Sequence, residues 1–176
     1  VISHDNMRSR MADAKAPGLP QQTYGSTMTL HFNGDEIWIF HPPPAHTDGD
    51  SIVHFTNANV IHTGDTFVKD QYPFIDRSSG GTLDGIIEAS EAVIARSDAS
   101  TKIIPGHGDL ANRSDIQRYH DMLVKVRANL KALVDQGKSE DEALAAKPTA
   151  EFDDAWGKGF MNAENFTRFA YQSLKK

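Results

Sequence analysis

Cysteine is absent from the 176 residues. That excludes disulfides, a thiolate nucleophile and a thiolate zinc ligand, and it leaves the compartment open. Basic residues are few: 18 Lys and Arg stand against 24 Asp and Glu, a formal net charge of −6. No basic run of the kind that tracks phosphates is present, so nucleic acid is not an expected partner. The acidity favours solubility without naming a partner. Long apolar runs are missing too. No segment nears the roughly 18 apolar residues a membrane span needs, so no membrane partner is expected. No signal peptide is present. The chain opens Val1-Ile2-Ser3-His4, without Met. We therefore expect the true N-terminus, and any targeting signal, to lie elsewhere. What is there is ordinary globular composition, 39% apolar and 24% charged, at a length that suits one domain or a large part of one.

Val1-Ile2 reads as the end of a strand. Ser3 is a plausible cap for a short helix to about Met11, and residues 12–22, with Pro17 and Pro20, read as a loop. Thr27 to Phe32 alternates, Asn33-Gly34-Asp35 is a hairpin turn, and Glu36 to His41 is the return strand. Pro42-Pro43-Pro44 stops it. Ser51 to Thr56 and Asn59 to Thr63 form a second pair suited to a covered sheet. Residues 66–82 read as a long loop, a length that is often functional. A helix follows, with Leu83, Ile86, Ile87, Val93 and Ile94 on one face. Thr101 to Ile104 is a short strand closed by Pro105-Gly106. The longest helix begins at Ser114, with Ile116, Tyr119, Leu123, Val126, Leu130 and Leu133 as its apolar stripe, and Gly137 stops it. Ser139 and Glu142 make a capping box for the next helix. A last helix starts near Asn162 and buries Phe166, Phe169, Ala170 and Leu174. This order predicts an α/β (α+β) sheet with helices on one face. Residues 1–150 form the main unit, and 151–176 form a C-terminal helical extension of the same domain.

Three segments place possible metal ligands at strand ends beside Gly or Pro. They are Ala45-His46-Thr47-Asp48-Gly49-Asp50, His62-Thr63-Gly64-Asp65-Thr66 and Pro105-Gly106-His107-Gly108. A ligand there is held by the sheet yet faces an open cleft. Imidazole with carboxylate suits zinc, and also iron or manganese. Taken singly, each segment has an ordinary explanation, because Gly and Asp are common turn formers and a lone turn His is usually a surface His. Of the other histidines, His62 is expected to pack or support a ligand, and His54 to be a satisfied core group. His31, His41 and His120 read as structural or exposed, and His4 as a capping contact. Ser78-Ser79-Gly80-Gly81 lacks the residues of a phosphate cradle, so a substrate-facing loop, with Ser79 and Gly80, is the expectation. No Gly-x-Ser-x-Gly elbow exists for serine catalysis.

The ordered set His46, Gly64-Asp65 and Gly106-His107 resembles the second half of the metallo-β-lactamase superfamily. His4-Asp5-Asn6-Met7-Arg8, Asn33-Gly34-Asp35, Tyr72-Pro73-Phe74-Ile75-Asp76 and Lys147-Pro148-Thr149-Ala150 resemble a bacterial subgroup of these hydrolases, so the likeness runs along essentially the whole chain. It implies half of an αββα sandwich and a zinc-dependent hydrolase acting on a small-molecule ester, thioester, amide or lactam. By resemblance, His46 completes a three-His site for a first zinc, Asp65 bridges two zinc ions and is the catalytic carboxylate, and His107 binds the second. Thr47, Thr63 and Thr66 are candidates to support the ligands. Lys69 is a candidate anion anchor, though its offset from Asp65 departs from that of the β-lactamase Lys. Asp at position 65, where the commonest zinc β-lactamases carry Cys, is similar to the broader hydrolases such as the glyoxalase II type.

The hallmark His-x-His-x-Asp-His motif is absent and is expected upstream of Val1. With three distant ligands, this chain alone is expected to be inactive and nearly metal-free. A second reading is therefore a non-catalytic, metal-poor piece that self-associates, by dimerisation or swapping, through an exposed sheet face. A third is a metal-binding or redox module of the same fold. The resemblance suggests a periplasmic location.

Overall fold

The structure is a computed structural model that describes residues 1–175. In chain order it comprises β1 (Ile2–His4), α1 (Asp5–Asp13), β2 (Gln22–Tyr24), β3 (Thr27–Phe32), β4 (Asp35–Phe40), β5 (Ile52–Phe55) and β6 (Val60–Val68). A 3-10 turn (Arg77–Ser79), α2 (Leu83–Arg96), β7 (Lys102–His107), α3 (Arg113–Asp135), α4 (Glu140–Ala145), α5 (Asp153–Trp156) and α6 (Ala163–Leu174) follow. β3 to β7 form one mixed sheet in sequence order, and β1 pairs with β2 in a separate parallel pair. β3 to β6 are antiparallel neighbours, while β6 and β7 run parallel across the α2 crossover. No helix among the described residues is long and apolar enough to cross a membrane.

Burial follows the alternation of the strands. Ile52, Ile61, Phe67 and Ile103 point from the sheet into a core completed by Ile86 and Val93 of α2, the stripe of α3, and Phe166 and Ala170 of α6. The α3 stripe forms as expected, with Ile116, Tyr119, Leu123, Val126 and Leu130 fully buried and Leu133 packed at its edge. Trp156 and Met161 join the same core, so residues beyond 150 pack continuously with the rest. The other face is apolar as well. By register, Met28 and Leu30 lie beside Ile39 and Ile37, and those beside Val53 and Phe55; Val60 and Ile104 complete the row. None of these residues belongs to the core cluster. A sheet with helices on one face and this apolar row on the other is the two-layer half of a sandwich.

Local structure departs from the sequence reading in five places. His4, rather than Ser3, caps α1: its Nδ1 accepts from the Asn6 N–H, and its Nε2 bonds the Gly25 carbonyl. β2 begins at the last residue of the expected loop 12–22, and α5 is a short helix within the expected C-terminal helical extension that was not read separately. β6 runs on through Val68, past a register shift at Gly64, and so shortens the expected loop. β7 runs through Pro105 to His107 for a related reason. It is the edge strand, where a missing N–H leaves no neighbour unpaired. By contrast, both residues of the Asn33-Gly34 turn have positive φ, and the Ser139–Glu142 capping box is present.

Candidate metal centre

The loop that carries His46 is tied down from several sides. Thr47 donates its N–H and hydroxyl to the two carboxylate oxygens of Asp50, at 3.0 and 2.8 Å. Burial pushes the Asp50 carboxyl up from its ordinary value, while the two Thr47 bonds pull it back. The Asp76 N–H donates to the His46 carbonyl at 3.0 Å, and the Thr82 N–H to that of Ala45 at 2.8 Å. Arg10 grips Asp48 through two hydrogen bonds, 2.9 and 2.6 Å long. A turn with so many internal partners holds its side chain in one place.

The His46 ring is oriented by one hydrogen bond and by the neighbouring Phe74 ring. Its Nδ1 lies 2.9 Å from the carbonyl oxygen of Phe74. A carbonyl only accepts, so Nδ1 is the donor there, which leaves Nε2 as the nitrogen available to a metal. Nε2 faces Asp65, at 3.7 Å from Oδ2. His107 approaches the other carboxylate oxygen, its Nε2 at 3.6 Å from Oδ1. Asp65 and His107 sit on neighbouring parallel strands, β6 and β7. Gly106 makes their approach possible: a Cβ there would overlap Oδ1 of Asp65 and come within 2.8 Å of the Gly64 backbone.

Two donors on one zinc, each about 2.0–2.2 Å from it, sit roughly 3.3–3.6 Å apart in tetrahedral geometry. The two His–Asp65 spacings are close to that. No group of three or more His, Asp or Glu among the described residues is arranged to enclose a single ion. What stands together is one carboxylate with an imidazole near each of its oxygens, a donor set whose chemistry suits zinc.

These three side chains stand at one end of a cleft of about 460 Å³ whose other walls are Val68, Gln71, Tyr72, Phe74, Gly108 and Phe160. None of the expected supports Thr63 and Thr66, the candidate anion anchor Lys69, or Ser79 and Gly80 of the expected substrate-facing loop lines this cleft. Thr63 is buried and donates to the Ile104 and Gly64 carbonyls, and the Thr66 hydroxyl donates to the Thr63 carbonyl. The Ser79 carbonyl accepts from the Asp48 N–H, and Gly80 backs onto Asp48. The Lys69 amine is directed to Asp115, at 3.4 Å, and to the Leu110 carbonyl, at 3.1 Å. The His62 Nδ1 accepts from the Gly64 N–H. Beneath Asp65, the buried Tyr119 hydroxyl is held well above its ordinary pKa by burial and by the Asp65 charge.

The sequence reading missed Gln71, Phe160 and the steric role of Gly106. No local signal marks Gln71 or Phe160, because the cleft brings together loops about 90 residues apart. Gly106 carried a signal, as a Gly inside a strand implies close approach by another backbone or side chain.

No family model and no curated protein matches the chain. Solved structures do. A metallo-β-lactamase from Pontibacter korlensis aligns at a TM-score of 0.59 and 18% identity, over 70% of this chain and 57% of that one. The DIM-1 metallo-β-lactamase aligns at 0.59 and 17%, over 70% and 56%. The BLEG-1 B3 metallo-β-lactamase aligns at 0.58 and 14%, over 70% and 64%. The chain shares the fold of these metallo-β-lactamases. The chain spans little more than half the length of the first two structures it matches.

Proposed function

We propose that this chain supplies one side of the active site of a zinc-dependent hydrolase. The observation that supports the reading most strongly is the pair of contacts at Asp65, each oxygen facing a different imidazole. In this reading His46, Asp65 and His107 would be among the residues that hold the zinc. Bound zinc would supply an activated water and polarise a substrate carbonyl. The chain's own residues do the positioning. Phe74 fixes the His46 tautomer, Gly106 gives Asp65 room, and the loop around Thr47 and Asp50 keeps His46 in register. The metallo-β-lactamase neighbours support hydrolysis in general; ester, thioester, amide and lactam substrates all remain within it. Zinc content of the product of the full reading frame tests the proposal. About two zinc ions per protein are expected, with loss of one in His107→Ala and a larger loss in Asp65→Asn. Unchanged content in both variants refutes it.

A second reading is favoured by the open sheet face. Taken alone, residues 1–176 hold metal poorly and associate through the row formed by Met28, Leu30, Ile37, Val53 and Phe55. Light scattering tests it: this chain is expected above monomer mass, and Val53→Lys shifts it toward monomer. A well-folded, monomeric wild-type chain sinks it.

A further inference from the structure

Phe160 is 87% exposed, the most exposed large apolar residue of the described structure. Scattered surface hydrophobes need no explanation, but this one is held in place. It follows Gly159, where a Cβ would overlap the Gln71 side chain. The same Gln71 accepts the Phe160 N–H through Oε1, at 3.3 Å. One residue on, the Tyr72 N–H donates to the Trp156 carbonyl at 3.0 Å, so the two loops are fastened at adjacent points. The ring meets Phe74 edge-on, with centroids 6.5 Å apart, and Phe74 in turn lies 5.6 Å from the His46 ring. An aromatic strip thus leads from open solvent down to the candidate metal ligands, and Val68 borders the same cleft.

We propose that Phe160 and Phe74 form the specificity wall of this cleft, and that it takes carbonyl substrates bearing an aromatic or alkyl group beside the reacting carbon. This rests on the hydrolase reading above. The cleft has the volume of a small-molecule site, and an aromatic ring left in water gains most when an apolar group covers it. A substrate whose carbonyl sits near Asp65 and His107 lays its adjoining group along Phe74 and under Phe160.

Calorimetry with 4-phenylbutyrate and butyrate as probes, on the product of the full reading frame, tests the wall without requiring turnover. Phenylbutyrate is expected to bind about tenfold more tightly than butyrate. Phe160→Ala removes that preference, Phe160→Trp keeps it, and Phe32→Ala, at another exposed ring, leaves it unchanged. Equal affinities for the two probes, a preference that survives Phe160→Ala, or an equal loss in Phe32→Ala overturns the inference. Zinc measured on the same samples separates the two ideas. A zinc-free protein that keeps the Phe160-dependent preference loses the hydrolase reading and retains the apolar-ligand cleft. A zinc-loaded protein without the preference does the reverse.

Discussion

Gly106→Ala is a one-methyl change that strikes the candidate centre through a single carboxylate. A Cβ at position 106 would overlap Oδ1 of Asp65 and stand 2.8 Å from the carbonyl carbon and oxygen of Gly64. To regain normal contact, the carboxylate must swing or the strand must shift by about 1 Å, and a misplacement of that size costs on the order of 100-fold where geometry governs function. Oδ1 is the oxygen facing His107, so the His107 side of the centre suffers first. Crowding the β6–β7 backbone adds about 1–3 kcal/mol of destabilisation, roughly 2–12 °C in Tm for a chain of this size. Competition with a chelator is the assay, and about 10–100-fold weaker zinc binding is the expected result. Combining Gly106→Ala with Asp65→Asn adds little to Asp65→Asn alone, because both act through one side chain. Leu123→Ala is the control. It empties a fully buried site in α3 and costs about 2–5 kcal/mol, yet leaves zinc affinity near wild type. Wild-type zinc affinity in Gly106→Ala, or an equal loss in Leu123→Ala, refutes the reasoning.

Asn112→Ala removes the side chain that accepts from the Ser114 and Asp115 N–H groups at the start of α3; urea unfolding is expected to show a loss of about 0.5–2 kcal/mol. Glu142 is drawn down from its ordinary value of 4.5 to about 2 by its hydrogen bonds to Lys138 and to the Ser139 N–H. A depressed carboxylate stabilises fully above its unfolded value and loses that contribution as pH falls through the folded one. The Tm of Glu142→Gln is therefore expected to fall less steeply than that of wild type between pH 4.5 and about 2; parallel curves would count against it.

Much of the fold was legible because its signals are local. The Asn33-Gly34 turn, the α3 stripe from Ile116 to Leu133 and the Ser139 capping box each depend on residues a few positions apart. The ends of β6 and β7 were not, because Gly64, Pro105 and Gly106 read locally as stops, and only their mutual pairing carries the strands past them. β1 and β2 found each other across the intervening helix and loop, a pairing no local pattern announces. In the site, the neighbours of His46, Asp65 and His107 marked them as candidate ligands, but only His107 closes a strand: Asp65 lies inside β6 and His46 in the loop before β5. What the sequence could not express was orientation: the Phe74 carbonyl that sets the His46 tautomer lies 28 residues away, and Phe160 reaches the cleft only through its fastening to Gln71.

The pairing of β6 with β7 makes the sheet itself a ruler. Asp65 and His107 stand on adjacent strands, whose lateral spacing of about 4.8 Å is a constant of hydrogen-bonded backbone. A slip of two residues, the smallest that keeps the same face inward, would carry His107 away by about 6.6 Å. The register shifts on both sides of Gly64, next to Asp65, so the His107–Asp65 spacing is set by that irregularity together with the ladder. The loops bearing Gln71 and Phe160 lie outside this ladder and are fastened to each other instead. The sheet thus sets how the centre is spaced, while the loops at its rim shape what enters the cleft.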